Sequence, residues 1–437
     1  MSATMLGNES ALLALPVEII EHLLLFCHPR DVARFSTTCR FSAHIVYPLP
    51  IYFFDDPRRS IGPARLAIAD PCSYDWKAQL TRRIKAEHDA WTDTVDPELQ
   101  STTLETFAST LEEASPIAST STVPPDSRNL EWLTNVLSKS DILNSLSLSE
   151  NQFRDRLNAC LALPTKDRLD AQTRREQRNR SRCFVYDVRN YTADTLWGPY
   201  LPNGEVNWKH VHAIVDVVAS NLRELSPEDH IARPPTGFEM TRAFSAPGDF
   251  SGRDWAGVLG FDMCASWIIV IYSVGLHSLE ASLLIVPYPP HSAFNFSGTD
   301  DRPRDATFFT EGFREATHLI ELKLRLVPKE HMRIKFPLDD PPTRVHPSYE
   351  VLYLCGSITS RGMSIGQDVT VQGYVFMGVD CIPRWRLTSV HEGRPQWCSE
   401  GVQIGNVGSA IGVASTWTAI DHGDGDPVGP TWFWKID

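Results

Sequence analysis

The sequence predicts an α+β protein, with helices in the N-terminal half and an antiparallel sheet in the C-terminal part. Apolar residues recur at helical spacing as far as Leu222. Beyond about Arg233 they alternate with polar residues along short runs, which is typical of strands with one buried face. Gly, Pro and Asp turns separate these runs. We therefore expect a C-terminal barrel or sandwich.

The composition is that of a soluble globular chain and excludes several classes of protein. The 437 residues, 42% of them hydrophobic, allow roughly two to four domains. A net charge of −13 argues against general nucleic-acid binding, which requires a basic surface. The nine cysteines include no C-x-x-C pair, which argues against a disulfide framework or a zinc site. No signal peptide or membrane span is recognised, so we expect a cytoplasmic or nuclear protein.

The first fifty residues predict a small helical unit. Pro16 suits the first turn of a helix, Pro29 ends that helix, and Asp31 suits the start of the next. The first helix carries a broad apolar stripe: Ile19, Ile20, Leu23, Leu24 and Cys27. A unit of this size cannot bury so much apolar surface alone. It is expected to need a partner.

The run LPVEIIEHLLLFCHPRDVARFSTTCRFSAHIV, residues 15–46, resembles an F-box, the helical module that docks on the adaptor Skp1. The Trp common near the end of that module is absent, with Tyr47 or Tyr52 nearby instead. The alternative is a helical hairpin that packs on its own chain. The resemblance implies that the matching residues bind Skp1: Leu15, Pro16, Glu18, Ile19, Ile20, Leu23, Leu24, Asp31, Val32, Phe35 and Cys39.

Helical spacing also marks the middle of the chain. The predicted helices lie within residues 74–91, 97–115 and 129–163, and a further helix is capped by Asn207. Residues 116–127, rich in Pro, Ser and Thr, are expected to form a flexible loop. The basic run in residues 166–182 is either a solvated helix face, an acidic-partner site or a nuclear signal.

Four runs carry the strand pattern most clearly: residues 318–327, 349–355, 384–390 and 431–436. The glycine-rich run SEGVQIGNVGSAIGV fits strands that bend sharply at barrel corners. We therefore predict three regions: an F-box at 1–55, a helical linker region at 56–230 and a β-barrel at 231–437.

The second half adds to the resemblance. FVYDVRNYTADTLWGPYLPNGEVNWKHVHAI, DWAGV, REATHLIELKL and the run from Gln396 to Asp437 are similar to a fungal F-box family. Its C-terminal barrel has a lipocalin-like outline. The resemblance implies a substrate receptor of an SCF-type ubiquitin ligase, with Skp1, cullin through it, and a protein target as partners. Two alternatives are a Skp1-bound protein acting outside a ligase and a barrel that holds a small apolar ligand.

Residues 254–301 depart from that pattern because they contain no Lys or Arg. The apolar run MCASWIIVIYSVGL within them is too short for a membrane-spanning helix. Two buried strands fit it better. A retained intron, translated across residues 259–293, is a further hypothesis.

No motif of an enzyme is recognised, so no catalytic residue, cofactor or metal is predicted. The acidic run DHGDGD, residues 421–426, lacks the distal Glu of a calcium loop and favours a hairpin turn. The tryptophans of the C-terminal strands fit either core packing or a recognition surface. The candidate substrate-binding residues are Arg384, Arg386, Trp397, Glu400 and Trp417.

Overall fold

The computed structural model describes residues 12, 14–24, 26–46, 54–55, 74–92, 96–117, 126–144, 151–161, 171–224, 234–243, 265–274, 315–332, 345–360, 369–423, 426 and 428–435. The chain forms two compact units. Most of the loop predicted at 116–127 lies outside the described residues.

The first unit is helical. Its α-helices are α1 (Val17–Leu24), α2 (Pro29–Ser36), α3 (Arg40–Val46), α4 (Trp76–Trp91), α5 (Pro97–Glu112) and α6 (Arg128–Ser138). Side-chain oxygens of Asp75, Asp96 and Ser127 accept hydrogen bonds from backbone N–H groups in the first turns of α4, α5 and α6. These caps satisfy donors that the helix itself leaves unpaired, which explains where the three helices begin.

Helices α1–α3 share a small apolar core. Phe35 packs against this core. Its five buried side chains are Ile20, Leu24, Val32, Ile45 and Val46. Helices α4–α6 bury a second set, which includes Leu104, Phe107 and Leu133. The short segment at Phe54 and Asp55 is fixed on these helices: the Asp55 carboxylate accepts hydrogen bonds from the backbone N–H groups of Ser115 and Arg128.

The second unit contains the sheet. Its strands are β1 (Ala265–Val274), β2 (Glu315–Leu326), β3 (Leu352–Ser360), β4 (Val369–Met377), β5 (Pro383–His391), β6 (Arg394–Gln403), β7 (Val413–Ala419) and β8 (Val428–Lys435). Strands β2–β8 pair antiparallel in chain order and form a curled sheet. β1 pairs with both edge strands, β2 and β8, and so closes the sheet.

One face of the curled sheet forms the core of the second unit. Leu322, Leu354, Val375, Trp385 and Phe433, which come from different strands, belong to one buried cluster. The rings of Trp385 and Phe433 meet edge to face at 5.5 Å. The alternation predicted for residues 318–327 and 384–390 is confirmed, since Leu322, Leu324, Trp385 and Leu387 belong to this cluster and Ile320 and Leu326 pack against it.

Three helices accompany the sheet: α7 (Gln152–Leu161), α8 (Ala171–Val185) and α9 (Trp208–Glu224). The Asn207 side chain accepts a hydrogen bond from His210 N–H at 3.2 Å, which confirms the predicted cap. Helix α9 packs on α7 and α8 and also on β7 and β8. It lies on the outer face of the sheet, because Trp432 and Trp434 are buried although they alternate with the inward-facing Phe433.

The segment of residues 234–243 packs against one end of the barrel. Ala243 bridges to Ser409 and joins the inner core, while the N–H of Asn406 donates to the carbonyl of Thr241 at 2.8 Å. This end is formed by the connection between β6 and β7, where the glycine-rich run lies. The run therefore provides the end of strand β6 and the connection after it, rather than strands that bend at a corner.

The predicted helical first half and antiparallel sheet are confirmed. The compact units, however, do not follow the predicted boundaries: α1–α6 belong to the first, and α7–α9 with the strands to the second. The helical middle region thus contributes to both units. Of the apolar stretch at 254–301, residues 265–274 form one strand, and the remainder lies outside the described residues.

Two glycines allow a matched test of the barrel. Gly412 and Gly393 both have positive φ, +89° and +77°. A Cβ at Gly412 would lie 2.1 Å from the backbone oxygen of Phe433, whereas a Cβ at Gly393 meets nothing within 4 Å. We expect Gly393→Ala to lower the free energy of unfolding by about 1 kcal/mol, the strain of the left-handed conformation. Gly412→Ala should cost at least about 3 kcal/mol, because the backbone must also shift. Urea unfolding measures both, and equal losses would contradict the close packing of β8 on Gly412.

Candidate functional sites

The first candidate site is an exposed apolar surface on the first unit, which we call the apolar face. It comprises seven large apolar side chains that are each more than a third exposed: Leu12, Leu15, Val17, Ile19, Leu23, Phe26 and Phe41. Ile19 is 48% and Phe26 79% exposed. In the described part of the chain, Val379 is the one other large apolar side chain this exposed. Concentrated apolar exposure of this kind marks an interaction site.

The structure divides the residues predicted to bind Skp1 into three groups. Leu15, Ile19 and Leu23 lie on the apolar face, and Pro16, Glu18 and Asp31 are exposed beside them. A second group is half-buried: Phe35 and Cys39. The third forms the core of the helical unit itself: Ile20, Leu24 and Val32. The broad stripe predicted on the first helix is therefore two faces, one turned inward and one outward.

Four residues of the apolar face were not among those predicted: Leu12, Val17, Phe26 and Phe41. A signal for two of them exists in the sequence. Leu12 and Phe26 extend the series of Leu15, Ile19 and Leu23 at steps of three or four residues, although both lie in turns outside α1. Nothing in the local pattern marks Phe41.

The second candidate site is a buried ion pair on the outer face of the sheet. Arg386 on β5 is paired in register with Glu400 on β6, and Arg386 Nε lies 3.1 Å from Glu400 Oε1. Both side chains are less than a tenth exposed. Burial raises the pKa of the Glu400 carboxyl to about 7, and Arg386 only partly offsets this. The carboxylate is thus costly to ionise where it lies.

Residues 191–207 cover this ion pair; we call them the strap. Tyr200 Oη donates to the Gly401 carbonyl at 3.0 Å, and Thr416 Oγ1 donates to the Trp197 carbonyl at 3.2 Å. Gly198 packs so closely that a Cβ there would lie 2.7 Å from the Cβ of Glu400. The strap therefore requires glycine at this position and excludes water from the pair.

A second arginine fixes the end of the strap. Arg384 Nη2 donates to the carbonyl of Gly204 at 3.0 Å, and both terminal nitrogens also donate to the Asp380 carboxylate. Arg384 is 4% exposed. The three predicted substrate-binding residues Arg384, Arg386 and Glu400 therefore lie together, but beneath the strap rather than on a free surface. In this structure they hold the chain's own segments.

The two predicted tryptophans lie elsewhere. The rings of Trp397 and Trp417 meet edge to face at 5.2 Å and are half-buried. Their register with Ala419 and Ser399 places them on the inner side of the sheet, in line with Leu387. The predicted recognition set is thus split between the two faces of the barrel.

Potential nucleophiles near the ion pair are not activated. Burial raises the pKa of the Cys398 thiol to about 12, and burial with the nearby Arg386 charge lowers the pKa of His422 to about 4. His422 Nε2 lies 3.8 Å from Cys398 Sγ, and its ring stacks on Trp197 at 3.9 Å. A neutral thiol beside a neutral imidazole, covered by an indole, is a packing arrangement rather than a catalytic pair.

Two absences among the described residues bear on the site. These residues contain no group of three or more His, Cys, Asp or Glu side chains that could hold a metal ion. They also contain no helix of the length and apolarity that crossing a membrane requires. The acidic run at 421–426 lies between the paired strands β7 and β8, the position of a hairpin connection, as predicted.

Comparison with known proteins gives no match to any family model, curated protein or solved structure.

The buried Glu400 carboxyl is expected to make the free energy of unfolding fall as pH rises. The pKa of Glu400 is about 7 in the folded chain against an ordinary value of 4.5, so the folded state binds more protons between these values. The contribution of Glu400 to stability is therefore complete below pH 4.5 and is lost as pH rises through 7, a change on the order of 1 to 3 kcal/mol.

Glu400→Gln should remove this contribution from the curve of unfolding free energy against pH, measured by urea unfolding. Glu330→Gln, which alters an exposed carboxylate of the same unit, is the matched control and should leave the slope intact. Identical pH slopes for the native chain and Glu400→Gln would show that Glu400 ionises freely.

Proposed function

We propose that this chain is the substrate receptor of an SCF-type ubiquitin ligase and docks on Skp1 through the apolar face. The observation that carries the proposal is the concentration of exposed apolar side chains within residues 12–41, on and around helices α1 and α3. Residues 15–46 are also the sequence that resembles an F-box. A partner surface is thus expected where the resemblance predicts one.

The energetics favour a bound partner. Fully burying a Leu, Ile, Val or Phe side chain is worth about 1.5–3 kcal/mol relative to its exposure to water. Leu15, Ile19, Leu23 and Phe26 are four such side chains, each more than a third exposed. A small number of anchors of this kind supplies most of the binding energy of a typical interface. A groove lined by apolar side chains on the adaptor is the complementary surface.

The outward position of Ile19 and Leu23 refines the docking set. Ile20, Leu24 and Val32 shape the module from within, because they form its core. Substituting them would unfold the module rather than change an interface. The direct contacts to Skp1 are therefore assigned to the exposed side chains.

The barrel is proposed to present the target protein. Its inward-facing residues pack into one apolar cluster that includes the rings of Trp385 and Phe433. An eight-stranded barrel is just wide enough for its own side chains to fill. This packing favours a recognition surface over the alternative of an internal apolar ligand.

The proposed mechanism is positional. The receptor holds a target near the ubiquitin-loaded enzyme that cullin recruits, which raises the effective concentration of the target's lysines. Such a receptor needs no reactive group of its own. The raised pKa of Cys398 and the lowered pKa of His422 agree with this, since neither group is prepared for catalysis.

Co-purification tests the proposal. The intact chain should bring down Skp1 and cullin, and a version lacking residues 1–55 should bring down neither. The double variant Ile19→Asp, Leu23→Asp should lose Skp1 while its far-UV circular dichroism stays native, because both side chains point to solvent. Val379→Asp, at an exposed apolar residue of the second unit, is the matched control and should bind fully.

Failure of the intact chain to bind Skp1 would reject the proposal. Capture of Skp1 without cullin would instead support a Skp1-bound protein that acts outside a ligase.

A further inference from the structure

The apolar face belongs to a module, helices α1–α3, that contacts a buried carboxylate of the scaffold formed by α4–α6. Glu87 on α4 is 1% exposed, and Arg30 on α2 places Nη2 3.3 Å from its Oε1. His28, which caps α2, places Nε2 3.6 Å from the same oxygen. The His28 Nδ1 atom accepts a hydrogen bond from the Arg30 N–H, so the proton of a neutral ring lies on Nε2, facing Glu87.

The other carboxylate oxygen is held by the helical scaffold. Trp132 Nε1 on α6 donates to Glu87 Oε2 at 2.9 Å. One carboxylate therefore joins three helices, with the docking module on one oxygen and the scaffold on the other. A buried carboxylate requires such partners, because leaving it unpaired is strongly unfavourable.

A second contact reinforces the same junction. The Arg30 guanidinium lies over the Trp91 ring at 5.0 Å, and Trp91 Nε1 donates to the carbonyl of Val136 on α6 at 3.3 Å. Arg30 thus makes an ionic and a cation–π contact to α4 at once. Its planar guanidinium suits both, whereas a lysine ammonium supplies only the charge.

The contacts of His28 and Arg30 with α4 lie close to the apolar face in the chain. They lie at the start of α2, directly after Phe26, the most exposed residue of the apolar face. After α3 the chain contacts the scaffold again at Asp55, whose carboxylate accepts hydrogen bonds from the N–H groups of Ser115 and Arg128. The contacts of His28 and Arg30 with Glu87 attach the module to α4 at a second point.

We propose that Glu87 is a positioning residue, which sets the direction of the apolar face relative to α4–α6 without touching the docked partner. This inference rests on the proposed function, in which the apolar face binds Skp1. Its physical content is that the docking module and the scaffold move as one body. A ligase receptor gains from this, since a fixed geometry concentrates the target at the site of transfer.

Single-molecule fluorescence energy transfer on the full chain tests the inference. Dyes are attached through unnatural amino acids in place of Arg34 on α2 and Glu98 on α5, both exposed. The otherwise native chain should give one narrow distance distribution. Glu87→Gln should shift and broaden it, because the amide can still accept from Trp132 but carries no charge for Arg30. Glu105→Gln, which removes an exposed ion pair with Arg82 in the same unit, should leave it unchanged.

Arg30 variants separate positioning from general stability. Arg30→Gln should broaden the distribution as Glu87→Gln does, and the double variant should add nothing, because both remove one interaction. Arg30→Lys keeps the charge and should restore most of the narrow distribution. If Glu87→Gln fails to fold, comparing the distance distributions of Arg30→Gln and Arg30→Lys tests the same interaction. Skp1 affinity of the unlabelled variants should be unchanged.

A native distribution for Glu87→Gln, or for Arg30→Gln, would overturn the inference. The distance measurement needs no adaptor. A failure of Skp1 docking and a failure of Glu87 to set the angle are therefore distinguished by separate readouts.

Discussion

Burial of both faces of strands β5–β8 is the constraint on which the second unit depends. The inner face forms the apolar core, and the outer face is covered by α9 over β7 and β8 and by the strap over β5 and β6. Strand alternation then forces outward-facing polar residues into a dry layer. Arg386 and Glu400 are paired because neither could be covered alone. The polar cluster is thus a consequence of how the barrel is covered, and the cost of ionising Glu400 shows how fully water is excluded.

The first unit, in contrast, leaves apolar side chains exposed. Helix α1 spans only Val17–Leu24, yet it carries apolar residues on both sides. Helices α2 and α3 are equally short and can cover only one of those sides, so Ile20 and Leu24 are buried and Ile19 and Leu23 are not. The surplus cannot be removed by rotating α1, because rotation would only exchange one apolar side for the other. Exposed apolar surface concentrated in this way is typical of an interaction site.

Local sequence patterns were sufficient to predict the helices and strands, but not which of their faces other segments bury. Periods of 3.6 and 2 located most of the helices and four of the strands, and Asn207 was recognised as a cap because its side chain acts on the next turn. The division of the α1 stripe depends on where α2 and α3 pack, which its own sequence does not contain. Arg384, Arg386 and Glu400 were predicted to bind substrate, whereas the strap, about two hundred positions earlier in the chain, buries them. Glu87 gave no signal, since its partners come from helices distant in sequence.

The two units also differ in what their buried charges do. Arg386 and Glu400 lie within one sheet and hold neighbouring strands that the backbone already pairs, so their direction is fixed without them. Glu87 instead joins separate helices, which no sheet pairing holds together, so its side-chain contacts contribute to the angle between them. A buried ion pair is weak evidence for stability but can specify one arrangement among several. Specification is what a positional mechanism requires, because a target held at the wrong angle is as poorly presented as one held weakly.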